Sequence, residues 1–282
     1  MFPEKIFLFG CNAAKKCYII PNTEHRGGPL RRGGPGNVRG IFNMSKKPRI
    51  GFTTLRQVIL GLKGEEYVRY IHPNNYADAV YTAGGLPVPI PAFVAEPDLD
   101  DYLDMVDGVL LIGGPDIPPS FYGEKDQGKV HPMPEDVAVN HLTLIKKAFS
   151  RTIPVLGVCL GMQELNVAAG GGLLQDLGDL VPYHRTGGRD QYHKGVIASG
   201  SRLAEILGAK EILLNSCHHQ AVDPARLGKG ARVTVRCGEV VEGIEFAGDV
   251  FRVGVQWHPE RILDEPHRRK LFSAFIGEAC KH

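Results

Sequence analysis

Cys159 stands in the run Gly157-Val158-Cys159-Leu160-Gly161, and this is where the sequence points most directly to chemistry. The apolar run IPVLGV (153–158) leads into it with the character of a buried strand, and a helical segment follows from Leu160 to about Ala169. A nucleophile flanked as G-x-Cys-x-G between strand and helix forms an elbow, because the two glycines let a strained turn pack close against a sheet. Such a turn lifts Sγ out at the carboxyl end of a strand. It also sets the sulfur at a helix N-terminus, where the partial positive charge favours thiolate over thiol. The backbone N–H of Leu160 then faces the place where an oxyanion would form. Taken alone, the pattern also fits a small, inert, buried cysteine. The strand before it and the helix after it favour the reactive reading.

A cysteine nucleophile needs a base, and the base needs a third group to fix its tautomer. His258-Pro259-Glu260 supplies such a pair directly after the strand-like RVGVQW (252–257). In extended backbone, residues i and i+2 point to the same side, and Pro259 stiffens the link. Glu260 is then placed to accept from one ring nitrogen of His258 while the other faces Cys159. The competing reading is a surface turn with a solvated Glu260.

These residues need a scaffold. The pattern predicts strands over RIGFTT (49–54), LPVPI (86–90) and DGVLLIGG (107–114), with helices over 73–85 and 134–150. Pro134 opens the second helix, acidic Glu135 and Asp136 fill its first turn, and Lys146 and Lys147 fill its last. The second half is richer in strands, at 194–198, 211–215, 231–237, 240–246 and 252–257, and closes with a helix from about Pro266 to Ala279. VVEGIEF (240–246) alternates as a half-exposed antiparallel strand does. Strands alternating with helices predict an α/β fold with a largely parallel sheet covered on both faces.

Composition agrees with a folded, water-facing chain: 282 residues, 43% hydrophobic and 23% charged. Six cysteines at irregular spacing form no CxxC pair, so neither a zinc cage nor a disulfide framework is indicated, and reduced thiols in a cytoplasm are the simpler reading. No stretch reaches the roughly 18 uninterrupted apolar residues of a membrane span. The net charge of +2 hides an asymmetry: residues 1–48 hold nine Lys/Arg against two Asp/Glu, and the remainder is net acidic. Residues 1–47, with the segment GGPLRRGGPGNVRG, read as a disordered or non-native basic tail, Met44 being a natural start for the domain at 48–282. The basic segment lacks the interleaved aromatics of a nucleic-acid arm, and the apolar run before Cys11 is too short for a signal core.

Cys217-His218-His219, with His184 and His193, invites a metal reading. Consecutive histidines on a strand point to opposite faces and chelate poorly, so substrate contact or packing is favoured and no metal is expected. No GxxxxGK[ST] loop or dinucleotide fingerprint is present, and no cofactor is expected.

Four segments in order carry a resemblance that covers roughly residues 48–280. GVCLGMQ followed by QWHPER resembles the catalytic pairing of class I glutamine amidotransferases. GGPDIPPSFYGE (113–124) and NSCHHQAV (215–222) are similar to segments of the γ-glutamyl-γ-aminobutyrate hydrolase group. The resemblance implies a flavodoxin-like, mostly parallel sheet with helices on both faces and a small antiparallel addition. It implies a Cys159/His258/Glu260 triad, with Gly114 as the second oxyanion donor opposite Leu160. It also places Gln163, Ser216 and His218 near a bound glutamyl head group. The implied activity is hydrolysis of γ-glutamyl amides through a γ-glutamyl thioester, with a small-molecule substrate and water as partners. No nucleic acid or membrane is involved, and a homodimer is left open. One departure concerns the leaving group: many members of the hydrolase group carry Arg where this chain has Leu160. The rivals are a glutaminase subunit that passes ammonia to a separate synthase, and a non-catalytic member of the fold.

Overall fold

In the computed structural model, residues 46–178, 190–262 and 266–282 are described. Nearly all of the basic tail, Met44 and His184 lie outside the described residues. Nine strands form the main sheet: β1 (Arg49–Thr53), β4 (Leu86–Ile90), β5 (Gly108–Leu111), β6 (Val155–Val158), β8 (Gln191–Ile197), β9 (Glu211–Ser216), β11 (Ala231–Cys237), β12 (Val240–Phe246) and β13 (Arg252–Val255). Their spatial order is β4-β1-β5-β6-β13-β12-β11-β8-β9. The first five run parallel, and the last four extend the sheet by antiparallel pairing. Counted along the chain, the parallel strands have the order 2-1-3-4-5, that of flavodoxin-like folds, in which ligands sit beyond the carboxyl ends of the strands.

The central strands are apolar on both sides because both sides are covered. Val109 and Leu111 of β5 face one core, with α2 (Asp98–Met105), α3 (Glu135–Phe149) and α4 (Leu160–Ala168). Leu110 and Ile112 face the other, with α1 (Asn74–Thr82), α5 (Arg202–Leu207) and α6 (Pro266–Ala279). Strands buried on both faces read as continuous apolar runs. Residues 47–282 form one compact unit.

Several expectations need correction. β12 pairs as an antiparallel strand, but all seven of its residues are buried rather than half of them. It lies inside the sheet between β11 and β13, and its two carboxylates are held: Glu245 by Arg232 and by the Arg202 amide, Glu242 beside His193 and His218. Strand β5 stops at Leu111, which releases Ile112–Gly114 from the ladder to form a turn. Cys217, His218 and His219 follow the end of β9 instead of lying on a strand. Helices α2 and α5 and the hairpin of β2 (Leu55–Leu60) with β3 (Glu66–Ile71) were not predicted at all. Two short strands, β7 (Leu173–Leu174) and β10 (Ala221–Val222), pair beside the sheet.

Candidate active site

The elbow is built by close backbone approach. Cys159 has φ 54° and ψ −107°, and it is the one non-glycine residue with positive φ among the described residues. Its amide donates to the Val255 carbonyl at 2.8 Å, pinning the end of β6 to β13. A Cβ on Gly157 would stand 2.5 Å from the Gly161 carbonyl oxygen, and one on Gly161 would run into the Leu111 carbonyl. Both positions therefore require glycine, and helix α4 starts at once. Strain at a residue held this tightly marks a site where function tolerates the cost.

His258 follows β13 and caps a 3₁₀ turn, Pro259–Arg261, that carries Glu260. Nδ1 of His258 lies 2.8 Å from Glu260 Oε1, and a Cβ on Gly113 would stand 3.0 Å from His258 Cε1 and 3.4 Å from Cys159 Cβ, so the imidazole and the cysteine flank the same glycine. Since a carboxylate only accepts, Nδ1 carries the proton of that pair. Burial alone would lower the His258 pKa. The negative charges of Glu260 and Cys159 outweigh it and hold the imidazolium to about 10. His258 and Glu260 thus pair beyond the end of β13, and Cys159, just beyond the end of β6, flanks the same Gly113 as His258.

The turn after β5 reaches the same place. The Gly113 amide donates to the Tyr76 hydroxyl at 2.9 Å, and that hydroxyl stands 3.4 Å from His258 Nδ1. The Gly114 α-carbon packs under Leu160 and Leu55, where a Cβ would come within 2.9 and 2.8 Å of their methyl groups. Leu160 supplies the first amide of α4, which has no intrahelical acceptor. A helix-N-terminal amide directly after the nucleophile suits a developing negative charge.

Of the remaining predicted residues, Gln163 and His218 meet at one carbonyl, that of Gln220. Gln163 is one turn along α4, and its side-chain amide donates to Gln220 O and Gln256 Oε1, each at 3.2 Å. His218 Nδ1 meets the same Gln220 carbonyl at 2.8 Å, and its Nε2 is 3.6 Å from Glu242 Oε1. Ser216 is fully buried, and among the described residues its hydroxyl has no partner. The contact from this segment to His258 comes from Asn215 instead. The Asn215 side chain donates to His258 O at 2.8 Å and to Asp190 Oδ2 at 3.0 Å, while His258 N donates to Asn215 O. Asp190 also pairs with Arg261 at 2.6 Å, next to Glu260. His219 Nε2 lies 2.9 Å from Asp116, joining the GGPD and NSCHHQ segments. Among the described residues no group of three His, Cys, Asp or Glu side chains is arranged to hold a metal.

Tyr76, Asn215 and Arg261 were missed by sequence reasoning. Asn215 lay within a quoted motif, and Arg261 lay next to Glu260. Tyr76 sits on a helix face, eighty-three positions before the cysteine it neighbours, and no local pattern marks it.

Comparison with known proteins adds a family. The peptidase C26 profile matches residues 48–260. A Mycobacterium tuberculosis protein named as a glutamine amidotransferase is 36% identical over 245 residues, covering 83% of this chain and 76% of its own. The γ-glutamyl-γ-aminobutyrate hydrolase PuuD of Escherichia coli K12 is 31% identical over 255 residues, covering 85% and 96%. A crystal structure of a GMP synthase component from Thermoplasma acidophilum superposes with a TM-score of 0.57 at 16% identity, covering 84% and 96% of the two chains; it shows the fold.

Proposed function

Because the chain belongs to the peptidase C26 family, within the class I glutamine amidotransferase-like superfamily, we propose that it is a cysteine hydrolase that cleaves γ-glutamyl amide bonds, γ-glutamyl-γ-aminobutyrate among them. The observation that supports this reading is the position of His258, paired with Glu260 at 2.8 Å and flanking Gly113 together with Cys159. The domain responsible is residues 48–282.

In this reading the Cys159 thiolate attacks the γ-carbonyl carbon of the substrate. The carbonyl π electrons move onto oxygen, and the amides of Leu160 and Gly114 hold the oxyanion. His258 passes its proton to the departing amine as the C–N bond breaks, leaving a γ-glutamyl thioester and neutral imidazole. Water then attacks the thioester, gives a proton to His258, and releases glutamate and the thiolate. Glu260 fixes the imidazole and offsets its charge throughout. Each oxyanion donor in such a site contributes about 10²–10³ in rate. Gln163, Ser216 and His218 line the glutamyl side of the site in this proposal.

Cys159→Ala and Cys159→Ser test it: both should abolish release of amine from a panel of γ-glutamyl amides, and near-normal turnover by either ends the proposal. The amidotransferase names among the relatives support a second reading, a glutaminase that passes ammonia to a separate synthase. Amine release by the isolated protein favours the hydrolase. Ammonia release that depends on an added partner favours the glutaminase.

A further inference from the structure

Gly114 and Asp116 are separated by one residue, Pro115, whose ring fixes the backbone between them, so whatever holds Asp116 also bears on where the Gly114 amide points. Asp116 is held from two sides. On one it is stitched to a later stretch of the same loop: Asp116 N donates to His131 O at 3.1 Å, Met133 N to Asp116 O at 2.8 Å, and His131 N to Asp116 Oδ2 at 2.6 Å. On the other, the same Oδ2 accepts from His219 Nε2 at 2.9 Å. A carboxylate only accepts, so Nε2 of His219 carries the proton. Nδ1, across the ring, lies 3.5 Å from Asp176 Oδ1. The His219 and Asp116 side chains are 14 and 12% exposed, and a hydrogen bond to a charged group gains strength in such shelter.

The other end of this link stands on the frame that holds the imidazole. His219 lies four residues after Asn215, at the end of β9. The Asn215 side chain donates to His258 O at 2.8 Å, and His258 N donates back to Asn215 O at 3.2 Å. Leu177 N donates to His219 O at 2.7 Å and fixes the backbone at the far end of the run. Residues 215–219 are thus anchored at both ends, and His219 reaches from them to the loop that carries Gly113 and Gly114. No step of the reaction proposed above uses the side chain of His219 or of Asp116.

We propose that His219 is a positioning residue, a strut that acts through Asp116 to hold the Gly113–Gly114 turn in place relative to His258. Its importance for catalysis rests on the hydrolase reading, in which the Gly114 amide meets the oxyanion. A donor misplaced by about 1 Å costs on the order of 100-fold in rate, so a turn tethered to the same frame as the imidazole keeps that donor in register.

His219→Ala and Asp116→Ala break the strut, and His219→Gln restores an N–H near the Nε2 position. Hydrogen–deuterium exchange of the full chain, followed by mass spectrometry, reads the strut directly. Peptides covering Gly113, Gly114 and Asp116 should exchange about tenfold faster in H219A and D116A, as the loss of one hydrogen bond implies, and return toward wild type in H219Q. Peptides covering Cys159 and His258 should keep wild-type exchange. For amine release from a γ-glutamyl amide, kcat should fall about 10- to 100-fold in H219A with KM changed less than about threefold, and H219Q should recover most of the loss. If H219A fails to fold, D116A supplies the same readouts. Unchanged exchange at the glycine turn in both Ala variants overturns the proposal. So does faster exchange there with an unchanged kcat. A wild type that cleaves no γ-glutamyl amide, with exchange as expected, counts against the hydrolase reading and supports the strut.

Discussion

The Tyr76 hydroxyl accepts the Gly113 amide at 2.9 Å and stands 3.4 Å from His258 Nδ1, so one side chain of α1 braces both the glycine turn and the imidazole. Tyr76→Phe keeps the ring packing and removes the oxygen. The buried Gly113 N–H then loses its acceptor, at a cost of about 1–3 kcal/mol, and the turn that aims the Gly114 amide loosens. We expect kcat to fall about 10- to 100-fold with KM changing much less. Steady-state kinetics on a cleavable γ-glutamyl amide check this, and an unchanged kcat would remove Tyr76 from the account.

Proton linkage at His258 has a definite sign. Its pKa is raised to about 10, against the usual value near 6.5. The stability it contributes is full below about 6.5 and is lost as pH rises through about 10. In the proposed reaction, the proton that His258 gives the leaving amine is lost over the same range. The pH–rate profile should therefore descend on the alkaline side near 10, and Glu260→Gln should move that limb down by about one unit or more, because it removes the largest stabilising charge. A limb that stays in place in E260Q contradicts the assignment.

Gly161→Ala tests the elbow as a packing device. The added methyl meets the Leu111 backbone carbonyl, which cannot swing aside as a side chain would. Overpacking of this kind costs about 1–3 kcal/mol, so the urea midpoint should fall and activity with it. Full stability in this variant would show that the backbone approach is less tight than described.

A second buried pair lies behind the elbow. His141 Nδ1 is 2.7 Å from Glu164 Oε1, and its Nε2 is 3.1 Å from the Thr54 carbonyl. Two acceptors require two N–H donors, so His141 is an imidazolium paired with a carboxylate. Burial acts to lower its pKa, and the Glu164 charge and both hydrogen bonds raise it above the usual value. Its stabilising effect is full below about 6.5 and fades as pH rises through the folded-state pKa. Glu164→Gln should cost about 3 kcal/mol, because it leaves a buried cation unpaired, whereas the double change His141→Leu/Glu164→Leu should cost much less than the two single changes together. Chemical denaturation at several pH values measures both.

The chemistry-bearing segments were legible because local backbone positions them. A strand that ends in G-x-Cys-x-G and becomes a helix specifies its turn within five residues, and His258 and Glu260 are set two residues apart. The parallel half of the sheet was legible for a related reason: strands covered on both faces, such as β5 and β6, are continuous apolar runs. The same rule misled at β12. Glu242 and Glu245 look like solvent-facing alternation, yet they are buried, Glu242 beside His193 and His218 from distant segments and Glu245 against Arg232 of the neighbouring strand. The β2–β3 hairpin left no alternating apolar and polar signature, since beyond its root, where Leu55 and Tyr70 pack on the body, neither face is buried within this chain. Tyr76 escaped because its role depends on where α1 lies against the turn after β5, a tertiary fact with no sequence period.

The pairing of Cys159 with His258 is tested most directly by reaction with an electrophilic glutamine analogue, followed by peptide mass spectrometry. The account predicts one equivalent of label, on Cys159, with Cys217, Cys237 and Cys280 unmodified over the same period. Reaction at neutral pH should slow about 10²-fold in His258→Ala. Labelling of Cys159 no faster than the exposed Cys280, or at the same rate with and without His258, would contradict it.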